Sequence, residues 1–281
     1  MSIINEYIRE DLLSLYEKNK IEKAESLNTA LGKKAFCENM NPMYFTGNLN
    51  AKTVLIMLNP GAENLEYSFE QNDKLIYKTF DEYFNTYLDK MKNYGKYDFD
   101  RMDNFDLKQA AFLYHYKDSG IEIPQNFWIN AELKKEAKKS VLLNKLQMEL
   151  IPYPSRTFSG LFDSASKAQK NIHLVEENIE RLFNVVFETE RRYVIFCSKQ
   201  FYHIFNALTT VNSQKWKIKN DAVYRKQIGK LNLAYNNVII EFKNRTIKAG
   251  IAHSFASQAL PNAIEKMAEY GKFCFDTFLT K

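Results

Sequence analysis

Short runs of consecutive apolar residues, each followed by polar or turn-forming residues, recur along the chain. Such runs are typical of strands buried on both faces, because a half-exposed strand alternates apolar and polar positions and a helix is longer. The pattern predicts strands at residues 53–58, 148–151, 193–197, 238–242 and 246–252.

Amphipathic stretches accompany these runs. Apolar residues recur at helical spacing in residues 1–30, 173–188, 199–209 and 261–278. Strands that alternate with helices imply right-handed crossovers and a parallel sheet covered on both faces. We therefore predict an α/β fold, a three-layer sandwich around a central, mostly parallel sheet of four to five strands, with an added N-terminal helix.

The segment 62–140 interrupts this alternation. It is rich in aromatic and acidic residues and shows no strand-like alternation, which predicts a helical insertion between the first two core strands. The chain contains no internal repeat, low-complexity tract or Gly/Ser linker, so we treat residues 1–281 as a single domain.

Composition narrows the class of protein. The chain is 45% hydrophobic and 26% charged, as globular proteins are. It has no apolar run of membrane-spanning length, and its N-terminus carries Asn5, Glu6 and Arg9 where a signal peptide would be apolar. Three widely separated cysteines predict neither a disulfide framework nor a metal site. We expect a monomeric cytoplasmic protein with no membrane partner, metal or cofactor.

Positive charge is concentrated in the C-terminal half. Residues 1–140 hold 19 Lys and Arg against 22 Asp and Glu, whereas residues 141–281 hold 20 against 12. Within residues 215–248 nine basic residues face two acidic ones. This basic segment could contact nucleic-acid phosphates, although its charge alone favours a solvated lysine-rich surface.

Candidate chemistry lies where the predicted strands end. In an open parallel sheet, ligands bind outside the carboxyl ends of the strands, where the loops converge. Polar residues follow four of the strands, and the chain has no P-loop, GxGxxG, GxSxG or HExxH motif. The strand-end groups are Asn59-Pro60-Gly61, Tyr153-Pro154-Ser155-Arg156, Ser198-Lys199 and His253-Ser254.

Asn59 and His253 have the most distinctive chemistry among these residues. An amide held between a buried strand and a Pro-Gly turn can orient a water molecule through its oxygen, although Asn-Pro-Gly is also an ordinary turn. A histidine at a strand end can act as an electrophile or proton donor, and it can equally be structural. The remaining histidines have no ligand spacing, which predicts no metal.

Taken together, the two segments resemble the motifs of the uracil-DNA glycosylase superfamily. In its mismatch-specific branch the first motif reads Gly-Ile-Asn-Pro-Gly, beside Met-Leu-Asn-Pro-Gly at residues 57–61 here. The second reads His-Pro-Ser-Pro-Leu-Ser, beside His-Ser-Phe-Ala-Ser at residues 253–257. The resemblance covers about residues 45–260 at the level of the fold and about a dozen residues at the level of the motifs.

The resemblance implies a reaction and a role for each residue. Asn59 would position the attacking water, and His253 would stabilise the charge that develops on the departing base. Serines would contact DNA phosphates, and Phe255 would occupy the place of a wedge that fills the gap left by a flipped base. The implied base-pocket residues are Leu58, Pro60, Gly61, Tyr153 and a stacking aromatic, Tyr67 or Phe69. The implied DNA contacts are Ser155, Arg156, Ser198, Lys199, Ser254, Phe255 and Ser257. Ser155 and Ser257 are equally consistent with helix N-caps. Most of the aromatic residues in the insertion are expected to pack in the core.

Departures from the family pattern affect the expected substrate. The acid of the family-1 first motif is absent, and Pro152-Tyr153 stand where those enzymes carry a uracil-reading asparagine. Three distant cysteines exclude the iron–sulfur branch. The resemblance therefore implies a monofunctional glycosylase acting on DNA at a non-uracil base, such as a hypermodified phage cytosine, in phage defence or base excision repair.

Two other functions remain open on the sequence. One is a catalytically silent nucleic-acid-binding module on the same fold, which would use the basic segment. The other is a small-molecule hydrolase with His253 as base, although no serine lies on a nucleophile elbow. These alternatives can be distinguished from a glycosylase by the effect of substituting Asn59 and by the salt dependence of DNA binding.

Overall fold

A computed structural model of the protein describes residues 3–61, 76–94, 104–155, 160–257 and 260–280. The α-helices within these ranges are α1 (Ile3–Lys18), α2 (Glu22–Leu31), α3 (Phe80–Lys92), α4 (Asn104–Leu113), α5 (Ala131–Asn144), α6 (Ala165–Asn171), α7 (Glu176–Val186), α8 (Gln200–Val211) and α9 (Ile264–Leu279). The strands are β1 (Phe45–Gly47), β2 (Thr53–Met57), β3 (Lys145–Glu149), β4 (Tyr193–Cys197), β5 (Lys217–Ile228), β6 (Leu231–Phe242) and β7 (Arg245–Ala252). Short 3₁₀ turns span Phe127–Ile129 and Ile172–Leu174.

The strands form one mixed sheet in the order β1-β3-β2-β4-β7-β6-β5. The four central strands β3, β2, β4 and β7 are parallel, whereas β1 and the hairpin of β6 and β5 pair antiparallel at the two edges. The α/β class is confirmed, but the predicted sheet of four to five strands was too small. The pattern of apolar residues did not predict β1, because this strand has only three residues. It did not predict β5, because that strand is mostly exposed and polar.

Helices pack on both faces of the sheet. Alternate residues of the central strands, such as Val54 and Ile56, join the core beneath α1, α3, α7 and α8. The residues between them, such as Leu55 and Ile195, join the core beneath α4, α5 and α9. This division explains the continuous apolar runs, because both faces of each central strand are buried.

The predicted N-terminal helix is two helices. The chain turns between α1 and α2, where Asn19 adopts a left-handed conformation with φ of 56°. Asparagine tolerates this conformation better than most residues do. Buried apolar residues of α1, among them Ile8 and Leu12, pack against the first face of the sheet.

Within the described residues, the insertion at 62–140 contains α3, α4 and most of α5, joined by turns and irregular chain. Its helices contribute to both layers, because α3 packs on one face of the sheet and α4 and α5 on the other. Much of the insertion is therefore part of the core. No helix within the described ranges is long and apolar enough to cross a bilayer.

Candidate active site at the carboxyl edge of the sheet

A cleft of about 480 Å³ opens where the parallel strands β2, β3, β4 and β7 end. Seven of the residues predicted from the sequence line it: Leu58, Asn59, Pro60, Gly61, Ser155, Ser198 and Ser254. A cleft of about 500 Å³ lies elsewhere, around Asn48 and Glu188. We place the candidate site at the carboxyl edge, because loops from four parallel strands converge there.

The amide of Asn59 has a defined orientation. Its Nδ2 donates a hydrogen bond of 2.8 Å to the carbonyl oxygen of Pro60. Because a carbonyl oxygen only accepts, the nitrogen must face Pro60, which leaves Oδ1 as the atom that can accept from a ligand. The turn is held by the backbone N–H of Ser155, which donates to the same oxygen at 3.1 Å. An asparagine in this arrangement can hold a water molecule through Oδ1.

Strand β3 carries three buried polar residues on one face. Lys145 Nζ donates to Gln147 Oε1 at 2.9 Å, and Gln147 Nε2 donates to Glu149 Oε1 at 3.1 Å. Glu149 lines the cleft and is 6% exposed, and its Oε2 has no hydrogen-bond partner among the described residues. Burial raises the pKa of Glu149 to about 8 and lowers the pKa of Lys145 to about 8. A carboxyl group that is largely protonated at neutral pH therefore faces the cleft.

His253 is held in the core next to the cleft. Its Nε2 accepts a hydrogen bond of 3.2 Å from the backbone N–H of Ala234, and its own backbone N–H donates to the hydroxyl of Tyr270. Burial, together with the positive charges of Lys199 and Arg225, lowers the pKa of His253 to about 4. The imidazole is therefore neutral at pH 7, with its proton on Nδ1 because Nε2 is an acceptor. The lining of the cleft includes Ser254 but not His253, so its role in the reaction stays a prediction.

Two basic residues lie close enough to His253 to act on its charge. Lys199 follows β4, and Arg225 lies on β5 opposite Ala234. Neither forms an ion pair with any residue in the described ranges, whereas Lys215 and Lys226 of the basic segment 215–248 pair with glutamates. Arg225 and burial lower the pKa of Lys199. Two like charges without a carboxylate partner form a suitable contact for an anion such as a phosphate.

The structure places two predicted site residues in the core. Tyr153 is 1% exposed, and its hydroxyl donates at 2.9 Å to Asp11 Oδ2, which Tyr44 also contacts at 2.7 Å. Phe255 is 1% exposed and packs edge-on against the ring of Phe112. The pocket role of Tyr153 and the wedge role of Phe255 therefore do not correspond to their positions here. Both lie in strand-end loops whose burial depends on helices distant in the chain.

The other predicted DNA contacts have mixed positions. Ser198 Oγ accepts from the backbone N–H of Gln200 at 3.2 Å, as a helix-capping serine does. Ser257 lies in a turn in which its N–H donates to the carbonyl of Ser254 at 2.9 Å, and it does not line the cleft. Tyr67, Phe69 and Arg156 lie outside the described residues.

The cleft also contains residues that the sequence analysis did not select. They are the polar residues Gln147, Glu149 and Gln200, and the aromatic residues Tyr94 and Phe105. The predicted strand 148–151 began too late and ended too late, since β3 spans Lys145–Glu149 and Glu149 closes it. The alternation Lys-Leu-Gln-Met-Glu at 145–149 was the signal, because polar residues at every second position mark one face of a strand.

Replacing Tyr153 by phenylalanine tests whether this residue is structural. We expect the free energy of unfolding to fall by about 1 to 2 kcal/mol, because the buried Asp11 carboxylate loses one of its two tyrosine donors. Urea denaturation measures the change. The matched control is Tyr202→Phe, for which no hydroxyl bond is lost within the described residues and little change is expected. If Tyr153→Phe instead abolished DNA-directed activity without changing stability, the result would support a role for Tyr153 in the base pocket.

Comparison of the chain with protein-family models, with curated proteins and with solved structures finds no match. The resemblance to the uracil-DNA glycosylase superfamily therefore rests on the two sequence motifs alone.

Proposed function

We propose that the protein is a DNA glycosylase that hydrolyses the N-glycosidic bond of a modified, non-uracil base and leaves an abasic site. The observation that carries the proposal is the meeting of two distant motifs: Asn59 after β2 and Ser254 after β7 line the same cleft. A fold of this kind, with four parallel central strands, is also the expected frame of a uracil-DNA glycosylase-like enzyme. Phage defence and base excision repair both remain roles for this activity.

The proposed chemistry needs an oriented water molecule. Hydrolysis of a glycosidic bond builds positive charge on the sugar, so a water held on the open face of the sugar can attack C1′. Asn59 Oδ1 is free for this purpose because Nδ2 is fixed on Pro60. A neutral amide activates water weakly, so its contribution is mainly positional.

The size of the cleft supports a large base. A volume of about 480 Å³ lies in the range of pockets that enclose molecules larger than a single pyrimidine ring. Tyr94 and Phe105 contribute aromatic surface on which a flipped base can stack. A base that carries a bulky substituent would use this space.

The positive charge near His253 supports contact with DNA. Lys199 and Arg225 lie beside the strand end that carries His253, and their charges act on its imidazole. Replacing both by alanine is expected to weaken DNA binding and to reduce the salt dependence of log K by about 1 to 2 units of slope. Fluorescence anisotropy over a range of salt concentrations measures both quantities.

The matched control for this double variant is Lys215→Ala. Lys215 belongs to the basic segment 215–248, as Arg225 does, but pairs with Glu176 and Glu180, so its loss should leave the salt slope nearly unchanged. If the double variant and the wild-type protein have equal salt slopes, Lys199 and Arg225 do not contact DNA phosphates.

Incubation with modified DNA tests the proposed function. Phage DNAs of known base modification, and duplexes with uracil, hypoxanthine or mismatches, are treated with purified protein and then with alkali. Strand breaks at alkali-labile sites in one of these DNAs are expected. If every DNA stays intact, the protein is not a glycosylase for these bases and the proposal fails.

A catalytically silent DNA-binding module is the second candidate. It is favoured by the exposed β5–β7 surface, where Lys217, Lys219 and Arg245 form no ion pair with the described part of the chain. On this alternative, DNA binding falls steeply with salt while no base is released and Asn59→Ala changes nothing.

A further inference from the structure

Glu149 and Asn59 line the same cleft. In the parallel pairing of β2 and β3, Glu149 is in register with Met57, and Asn59 follows two residues after Met57, beyond the end of β2. A flipped base held beside Asn59 therefore shares the cleft with the carboxyl group of Glu149.

The hydrogen bonds of β3 determine which oxygen of Glu149 lacks a partner. The ammonium group of Lys145 can only donate, so the oxygen of the Gln147 amide faces Lys145 and the nitrogen faces Glu149. Glu149 Oε1 accepts from that nitrogen, which leaves Oε2 as the oxygen available to a ligand. Oε2 is buried and has no partner in the described ranges, and a buried polar atom without a partner is costly unless a ligand supplies one.

We propose that Glu149 is a general acid for glycosidic cleavage, and that it donates the proton on Oε2 to the departing base. The inference rests on the proposed function. In this step the bond from C1′ to the base nitrogen breaks and its electron pair stays on the base, which takes the proton from Glu149. The oxygen of water bonds to C1′, and the proton that this water loses restores the carboxyl group.

The surroundings of Glu149 keep the acid protonated when the cleft is empty. Burial raises its pKa to about 8, against the opposing charge of Lys145 on the same strand. Asp106 on α4 lies near Lys145 and contacts Lys138 at 3.6 Å, and burial raises the pKa of Cys197 on β4. A carboxylic acid with a pKa near the working pH is well matched to proton donation.

The position of His253 leaves this role open. The family resemblance assigns the group that stabilises the departing base to His253, but here Nε2 accepts a backbone N–H and the residue does not line the cleft. A proton donor that lines the cleft meets the same chemical requirement. On this inference Glu149 supplies it.

A general acid points to a class of substrate. Proton transfer helps most when the departing anion is strongly basic. Amino-substituted bases such as cytosine leave as far more basic anions than uracil does. Glu149 therefore suits a modified cytosine better than the corresponding modified uracil.

The test compares two bases that differ only at the amino position. DNA is prepared with glucosylated 5-hydroxymethylcytosine or glucosylated 5-hydroxymethyluracil, together with the same pair without glucose. Single-turnover release is measured for wild-type protein, for Glu149→Gln and for the control Glu122→Gln, which changes an exposed carboxyl. Glu149→Gln keeps the bond from Gln147 and presents an amide N–H that cannot transfer its proton.

We expect Glu149→Gln to slow release of the cytosine member by at least about 100-fold and release of the uracil member by less than about 10-fold, with affinity for the DNA nearly unchanged. A structural role would slow both members equally. Wild-type release should also be constant below about pH 8 and fall about tenfold per pH unit above it, because the acid is active only when protonated. The variant should lack this alkaline limb.

Three results would overturn the inference. The first is that Glu149→Gln slows release of both bases equally, and the second is that its pH profile keeps the alkaline limb. The third is that the pH profile of the wild-type protein has no alkaline limb. This third result overturns the inference even if Glu149→Gln does not fold. If wild-type protein releases no base from any of these DNAs, the proposed function itself fails for them, and the inference fails with it.

Discussion

Replacing Asn59 by alanine is expected to slow base release by about 100- to 1,000-fold, the usual cost of losing one positioned polar group in an active site. The substitution removes Oδ1, the atom left free when Nδ2 binds Pro60. Single-turnover release from the modified DNA identified as substrate measures the loss. Binding of the same DNA should change little, because Asn59 is proposed to act on water.

Asn50→Ala is the matched control for this substitution. Asn50 is exposed and lines a different cleft, so its loss should leave the rate of base release unchanged. Circular dichroism of both variants confirms that the fold is retained. A folded Asn59→Ala protein with the wild-type rate would remove Asn59 from the mechanism and favour the DNA-binding module.

Replacing Gly271 by alanine is expected to destabilise the protein by about 3 kcal/mol, at the upper end of the usual cost of overpacking a core. A β-carbon at this position would lie 2.0 Å from the carbonyl oxygen of Phe112 and 2.7 Å from its α-carbon. Because these are backbone atoms, α9 and α4 would have to move apart. The gain in helix propensity from alanine, about 1 kcal/mol, does not offset this clash.

Thermal and urea denaturation of Gly271→Ala measure the effect, with a fall in Tm of roughly 10 °C expected for a chain of this size. The control is Lys272→Ala, the next residue of α9, which is exposed and whose ion pair in the described part of the chain is with Asp276 of the same helix. It should change stability by less than about 0.5 kcal/mol. Wild-type stability in Gly271→Ala would show that the two helices do not approach this closely.

The loss of stability in Gly271→Ala bears on the site as well. The clash falls on Phe112, whose ring packs against Phe255 and Tyr270. Tyr270 in turn accepts the backbone N–H of His253. We therefore expect the strand-end loop that carries Ser254 to be disturbed together with the helix pair.

The local pattern of the chain determined the central strands and one edge of the site. Strands β2 and β4 are continuous apolar runs because both of their faces are buried, and this requirement is visible without knowing the neighbours. The Asn-Pro-Gly turn was equally visible, since proline and glycine end a strand for local reasons. Asn59 was selected on this basis and lines the cleft.

Only the tertiary structure decided which polar residues meet. Glu149 Oε1 accepts from Gln147, and the oxygen of Gln147 in turn accepts from Lys145 and from Gln109 of α4. The bond from Gln109 exists only because β3 packs beneath α4. Tyr153 and Phe255 resembled site residues by position, but contacts with Asp11 and Phe112, distant in the chain, hold them in the core. Strand-end chemistry is thus encoded locally, whereas burial and the choice of partner depend on contacts between distant segments, which a single sequence does not display.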